Sequence, residues 1–213
     1  MTFPPYDLRY RLVKKRSPDA VQRRWPLRPL SNRACRLGPH WVSVDSRDGK
    51  VTGVELGARG SRDDRDLAKD LEGVLGGGMV PGHLNVDASG LSAFTRKVLG
   101  SCAGIRPGQV TTYSGLAKAV GRPGAARAVG QVMANNPFAL LIPCHRVVGA
   151  DYSLHGFGGG LGMKEWLLAR EGWEFEGRGR GRRLVERSQK PDTRSQNAEV
   201  PAGGRSRAGA RRG

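Results

Sequence analysis

Ala139-Leu140-Leu141-Ile142-Pro143-Cys144-His145-Arg146-Val147-Val148 is the stretch from which the rest of the chain is read. Four apolar residues run into Pro143, so the segment reads as a buried strand that delivers Cys144 to a turn. A free cysteine has a pKa near ~8.5 and is mostly inert thiol at neutral pH until a base or a positive field draws off its proton. His145 sets an imidazole beside it, which makes Cys144 a candidate nucleophile. The plain alternative is a structural cysteine, because free Cys is among the most buried residue types and neighbours in sequence need not touch in space.

Working outward, the chain reads Gln109-Val110-Thr111-Thr112-Tyr113, Leu116-Ala117, Arg127-Ala128-Val129-Gly130 and Asn135-Asn136-Pro137 before the cysteine. After it come Gly159-Gly160-Leu161 and Lys164-Glu165-Trp166-Leu167-Leu168-Ala169-Arg170-Glu171-Gly172. This ordered set resembles the O6-alkylguanine-DNA alkyltransferases, or methylated-DNA–protein-cysteine methyltransferases. The resemblance is dense from about Phe94 to Gly172 and thin before it.

The resemblance implies an α+β fold. A small sheet-containing, ribonuclease-H-like domain would precede a mainly helical, winged helix-turn-helix-like catalytic domain. It also implies direct DNA repair: a methyl or other alkyl group passes from O6 of guanine, with O4 of thymine as an open second source, to Cys144. The product is a stable thioether, so each molecule acts once. In this scheme His145 takes the thiol proton through an ordered water and Glu171 orients the imidazole, in the nucleophile–base–orienter pattern. Asn136 shapes the turn behind the cysteine. The Tyr113 hydroxyl hydrogen-bonds the flipped guanine, since a base acted on in a duplex must leave the stack. Arg127 fills the space it vacates, while the small Ala126 allows close approach to the minor groove. Phe157 and Gly158 stand where the family often has an aromatic hydroxyl and a serine, so Phe157 lines the alkyl pocket by apolar contact alone. Arg146 is expected as an internal ion-pair partner and His155 as a surface histidine. The alternative reading is an alkyltransferase-like protein that binds the lesion without transfer. Such proteins lack the acceptor cysteine, so Cys144 speaks against it. A transcription regulator would need an effector domain, and residues 1–90 offer none that is recognisable.

No cofactor is implied, and no metal site: Cys35 and His40 are separated by four residues without a second pair of finger-like spacing. Three cysteines, an odd number without paired spacing, argue for a reducing compartment. No stretch approaches the ~20 apolar residues of a membrane span. The expectation is a soluble, cytoplasmic monomer, nucleoid-associated in a bacterium or nuclear in a eukaryote, whose partner is double-stranded DNA carrying alkylated guanine.

The formal charge of +17 over 213 residues is uneven. Residues 1–40 and 177–213 each carry a net +8, whereas 41–176 sums to only +1. The excess lies in segments rich in Gly, Pro, Ser and Arg, which read as disordered and attract phosphate backbones without sequence preference. The chain therefore divides into a basic disordered segment (1–38), a small α+β unit (39–90), a DNA-binding alkyltransferase domain (91–176) and a basic tail (177–213).

Within these, Trp41–Val44 and Val51–Leu56 alternate around a turn and predict a hairpin. Apolar spacing predicts a helix over 66–75, and Leu84-Asn85-Val86 reads as a further strand. Ser89 to Ser92 offer caps for a helix from Ala93. Ser114 is expected to cap a helix running to Val120, followed by a second helix over 125–134 and a closing helix over 164–170. The first two, joined by Gly121-Arg122-Pro123-Gly124, make a helix-turn-helix candidate.

Overall fold

The expected hairpin forms, and the computed structural model, which describes residues 31–57, 63–178 and 181–185, adds a third strand to it. Strands β1 (Ser31–Leu37), β2 (His40–Arg47) and β3 (Lys50–Leu56) make an antiparallel sheet in that spatial order. Asp48 and Gly49 close the β2–β3 turn with φ of 52° and 74°, the left-handed pair that suits a two-residue hairpin loop. Cys35, Leu37, Val42, Val44 and Val51 are all buried against α1 (Arg65–Leu75), whose Leu67, Leu71 and Leu75 repeat every fourth residue. Asp64 caps that helix by accepting from the Leu67 N–H (3.0 Å), and accepts from Arg33 Nε (2.7 Å) on β1.

β1 corrects the reading of residues 1–38 as disordered. Arg33 and Arg36 gave the segment a solvated look, but the residues between and beyond them, Ala34, Cys35 and Leu37, are core. Residues 1–30 lie outside the described residues. Leu84-Asn85-Val86 is not a strand: Gly82–Leu84 is a 3-10 turn, and only Val86 bridges to Val51.

Beyond the sheet the elements are short. They are α2 (Ala93–Ala103), β4 (Thr111–Thr112), α3 (Tyr113–Ala119), α4 (Ala126–Ala134), a 3-10 turn at Cys144–Arg146, β5 (Val147–Val148), α5 (Gly160–Arg170), β6 (Glu174–Glu176) and β7 (Arg183–Val185). Ser92 caps α2 as expected, accepting from the Thr95 N–H at 3.1 Å. For α3 the cap is Thr112, not Ser114: its hydroxyl accepts from the Gly115 N–H at 2.9 Å, so the helix begins at Tyr113. β4 and β5 pair in parallel, Thr111 with Val147 and Thr112 with Val148, which ties the segment before Tyr113 to the segment after the cysteine turn. One hydrophobic cluster runs from Leu37 and Val42 of the sheet through Val98 and Cys102 of α2 to Cys144 and Met163. The architecture is thus mixed α/β, a small antiparallel sheet with several helices.

Two further corrections concern the site. Residues 139–142 are a buried tight turn rather than a strand; Ala139 bridges to Ile142 itself, and Leu140 adopts φ 71°. An apolar run of four cannot distinguish the two, since burial alone explains it. The tail does not begin at 177. β7 pairs with β6 (Phe175 opposite Leu184), and Leu184 is buried with Val148, Leu154 and Leu168. Residues 186–213 lie outside the described residues.

Candidate active site

The turn that presents Cys144 is held by a side chain. Asn136 Nδ2 donates to the Ile142 carbonyl (3.1 Å) while its Oδ1 accepts from the Phe138 N–H (3.0 Å). The Ile142 N–H closes on the Phe138 carbonyl (2.8 Å), and the Cys144 N–H on the Ile142 carbonyl (2.8 Å). Leu140 in the left-handed region costs roughly 1–2 kcal/mol, a strain the surrounding hydrogen bonds and burial must hold in place. The sulfur that results is buried, with the residue 8% exposed.

His145 and Arg146 turn inward to the same carboxylate. His145 Nε2 lies 3.0 Å from Glu171 Oε1. Arg146 donates through Nε to both Glu171 oxygens (3.0 and 3.1 Å) and through a terminal nitrogen to Oε1 (2.8 Å). The guanidinium also reaches the carbonyls of Ile105 (2.6 Å) and Leu75 (3.3 Å), so it fastens the ends of α2 and α1 to the site. Arg146 is therefore an internal ion-pair partner, and Glu171, far from facing solvent at a helix end, is its counter-ion. Burial works to raise the Glu171 carboxyl, but hydrogen bonds from His145 and Arg146 outweigh it and hold it below the usual range. With Glu171 anionic, His145 Nε2 carries the proton and donates. Nδ1 is left as the acceptor, buried and without a hydrogen-bond partner among the described residues.

Burial pushes the Cys144 thiol up, while an Asn136 hydrogen bond and the positive charge of Lys164 pull against it. Burial likewise pushes His145 down. Cys144 and His145 thus rest as neutral thiol and neutral imidazole. Lys164, 1% exposed, donates to the Val147 carbonyl (2.8 Å) and the His155 carbonyl (3.4 Å). Burial drives its ammonium down to about 8. Sequence reasoning placed Lys164 at the head of a helix and gave it no part in the site. The signal was available: 164, 167 and 168 share one helical face, and a lysine in an apolar stripe needs a reason to be there.

Beside this network opens a cavity of about 660 Å³, lined by Tyr113, Ala126, Arg127, His155, Phe157 and Gly158 among others. Cys144 does not line it. The contact between them runs through one ring pair, Phe157 edge-on to His145 (centroids 6.4 Å apart), while His155 lies edge-on to Tyr113 (5.8 Å) within the wall. Burial, then Cys144, pushes the Tyr113 hydroxyl up, so it is a neutral donor at pH 7. Arg127 is exposed at the start of α4 and Ala126 half-buried beside it. His155 is exposed, as expected, but at the rim of the cavity. The expected site residues therefore fall into two groups that touch. Cys144 with Asn136 and His145 with Glu171 make two adjoining pairs on the cysteine turn; Tyr113, Ala126, Arg127, Phe157 and Gly158 form the cavity wall.

Residues 93–173 match the family model of the 6-O-methylguanine DNA methyltransferase DNA-binding domain. The chain is 46% identical over 86 residues to the methylated-DNA–protein-cysteine methyltransferase of Shigella flexneri, covering 40% of this chain and 50% of that protein. The chain thus spans about half the length of that relative. It is 37% identical over 108 residues to the protein of that name from Methanosarcina acetivorans, covering 51% of this chain and 69% of the other. Among solved structures it superposes on Mycobacterium tuberculosis OGT in complex with DNA with a TM-score of 0.54, 27% identity, and coverage of 67% of this chain and 92% of that one. With more than two-thirds of one relative covered at this identity, the chain belongs to the methylated-DNA–protein-cysteine methyltransferase family.

Proposed function

We propose that this chain repairs DNA directly, transferring a methyl or other alkyl group from O6 of guanine in a duplex to Cys144 in a single irreversible turnover. The observation that carries the reading is the neutral Cys144–His145 pair, with His145 oriented by an anionic Glu171, beside a cavity walled by Tyr113 and Arg127. The names of its relatives and the DNA in the OGT structure support the substrate.

In this reading α3 and α4 act as the helix-turn-helix of a catalytic domain spanning about 91–176, with the sheet unit, ribonuclease-H-like, as its support. The chain meets DNA as a monomer. Arg127 enters the stack as the lesion leaves it, and Ala126 keeps the helix close to the groove. The alkylguanine settles in the cavity against Phe157 and Gly158. His145 Nδ1 then takes the Cys144 proton through a water while Lys164 favours the thiolate. The sulfur attacks the alkyl carbon in line; the S–C bond forms as the C–O6 bond breaks, and its electron pair goes to the guanine. The Tyr113 hydroxyl hydrogen-bonds the base as that charge builds, and the base returns to guanine by gaining one proton, so the thiol's proton is balanced.

The test is a stoichiometric assay with a duplex carrying one O6-methylguanine. Wild-type protein should remove at most one methyl per molecule. Cys144→Ala should still bind the lesion duplex within about twofold and transfer nothing. Transfer by Cys144→Ala, or turnover beyond one equivalent, would overturn the reading.

A further inference from the structure

One wall of the cavity is a loop, and the loop is held from outside the residues that match the family model. His155, Phe157 and Gly158 belong to residues 149–159, between β5 and α5. At its start the loop is tightly folded: a Cβ at Gly149 would sit 2.6–2.7 Å from the side chains of His155, Ser153 and Asp151. Tyr152 adopts φ 61°. At its end, Gly156 and Gly158 have open space where a Cβ would sit, and the contacts that hold this part of the wall come from Phe157, packed on the core beside His145, and from Gly159 against Leu56 and Met163.

What steadies the middle is β7. The Leu154 N–H donates to the Arg182 carbonyl and the Leu184 N–H to the Tyr152 carbonyl, both at 3.0 Å, with Ser153 bridging Arg183. β7 is thereby a central strand, with β6 on one side and residues 152–154 on the other. Leu184 drives it down into Val148, Leu154 and Leu168. Arg182 pairs with Glu165 of α5 (2.8 Å) and Arg183 with Asp151 of the loop (3.4 Å). One residue beyond Leu154, the His155 carbonyl meets Lys164 and its ring meets Tyr113. β6 starts three residues after Glu171. The hairpin therefore links the end of the helix that carries Lys164 to the wall of the cavity, although the family match stops at residue 173.

We propose that β7 is a strap that positions the alkyl-pocket loop, with Leu184 as its anchor and positioning residue. The inference rests on the transfer reading for its kinetic arm only. With the strap seated, Leu154 fixes where His155 and Phe157 stand against Tyr113 and His145. With it lifted, the glycine-rich half of the wall keeps only the Phe157 and Gly159 contacts at its far end, and the reacting carbon loses its alignment with the sulfur.

The experiment uses the full chain with Leu184→Ala, the conservative Leu184→Met, and Leu71→Ala in the sheet as a control for lost core packing alone. Amide exchange across 149–157 and the transfer rate at saturating O6-methylguanine duplex are read together. Leu184→Ala should raise exchange at Leu154 and its neighbours about tenfold and lower the transfer rate about tenfold, within the scale of a misplacement near ~1 Å. Affinity for undamaged duplex should stay within twofold. Leu184→Met should restore both, and Leu71→Ala should move neither. Should Leu184→Ala not fold, Arg182→Gln/Arg183→Gln should shift both readouts the same way by a smaller factor. Unchanged exchange in a folded strap variant overturns the proposal, as does an equal change in Leu71→Ala. If the wild type transfers no methyl, the transfer reading fails by itself and the exchange arm alone decides the strap.

Discussion

The sheet half, residues 31–87, and the half that matches the family, residues 93–173, bury different things. In the first the core is apolar; Ser43 is its one buried polar side chain among the described residues, and its ion pairs, Arg33–Asp64 and His83–Asp70, reach solvent. In the second an imidazole and a guanidinium are buried directly after the cysteine, and the ammonium of Lys164 is buried on α5. Burying charge costs several kcal/mol per ion unless partners compensate. Stability alone would have placed leucines there. The contrast teaches that the sheet half is apolar packing, while the other half gives some stability up to hold a buried polar and charged arrangement. Arg146, reaching from Glu171 to the carbonyls of Leu75 and Ile105, is one of the places where the two meet.

Breaking that junction gives the largest expected effect. Glu171→Gln removes the anion that fixes the His145 proton on Nε2 and leaves Arg146 buried without a counter-charge. Transfer rate at saturating lesion duplex should fall about 10²–10³-fold. Unfolding free energy should drop by about 3–5 kcal/mol, and denaturant melts with single-turnover kinetics read both. In the sheet half the two should separate: Leu71→Ala should cost about 2–5 kcal/mol of stability, with the transfer rate of the folded fraction unchanged. A matching loss of rate would show the sheet half to take part in the chemistry.

Lys164→Met sharpens the comparison through pH. The folded ammonium sits at about 8, below its ordinary 10.5, so the fold prefers it neutral. That contribution to stability is present above the unfolded value and is lost as pH falls through about 8. Wild type should therefore gain up to about 3 kcal/mol between pH 8 and 10.5, and Lys164→Met should not. Removing the cation should also move Cys144 ionisation to higher pH, seen as a displaced pH profile for iodoacetamide capture. The smallest effect belongs to residues 186–213, with seven Lys/Arg against three acids. Truncation after Val185 should weaken DNA binding a few-fold on every sequence and flatten its salt dependence, leaving transfer at saturation intact. An unchanged salt slope would assign that segment no electrostatic role.

Legibility followed the same divide. Alternation and four-residue spacing revealed β2, β3 and α1, because each must bury one face. β1 escaped because its arginines masked a short buried run. In the other half, words rather than periods carried the information: Pro-Cys-His-Arg-Val, Tyr113, Asn136 and Glu171 were picked out, yet β4 and β5 are two residues long and 139–142 is a turn, too short for any period to show. Lys164 and the β7 strap were missed for a physical reason. Their importance comes from what they touch across the fold, the His155 carbonyl and the backbone of Tyr152 and Leu154, and not from any local pattern.

The central claim is that Cys144 is the acceptor. Incubating the full chain with an equimolar duplex carrying O6-methylguanine, then digesting it and weighing the peptides, tests it most directly. The account predicts one added methyl on the peptide containing Cys144, none on those containing Cys35 or Cys102, whose thiols burial pushes up and away from reactivity, and an equal yield of restored guanine. An unmodified Cys144 peptide alongside restored guanine, or a methyl on another residue, would contradict it.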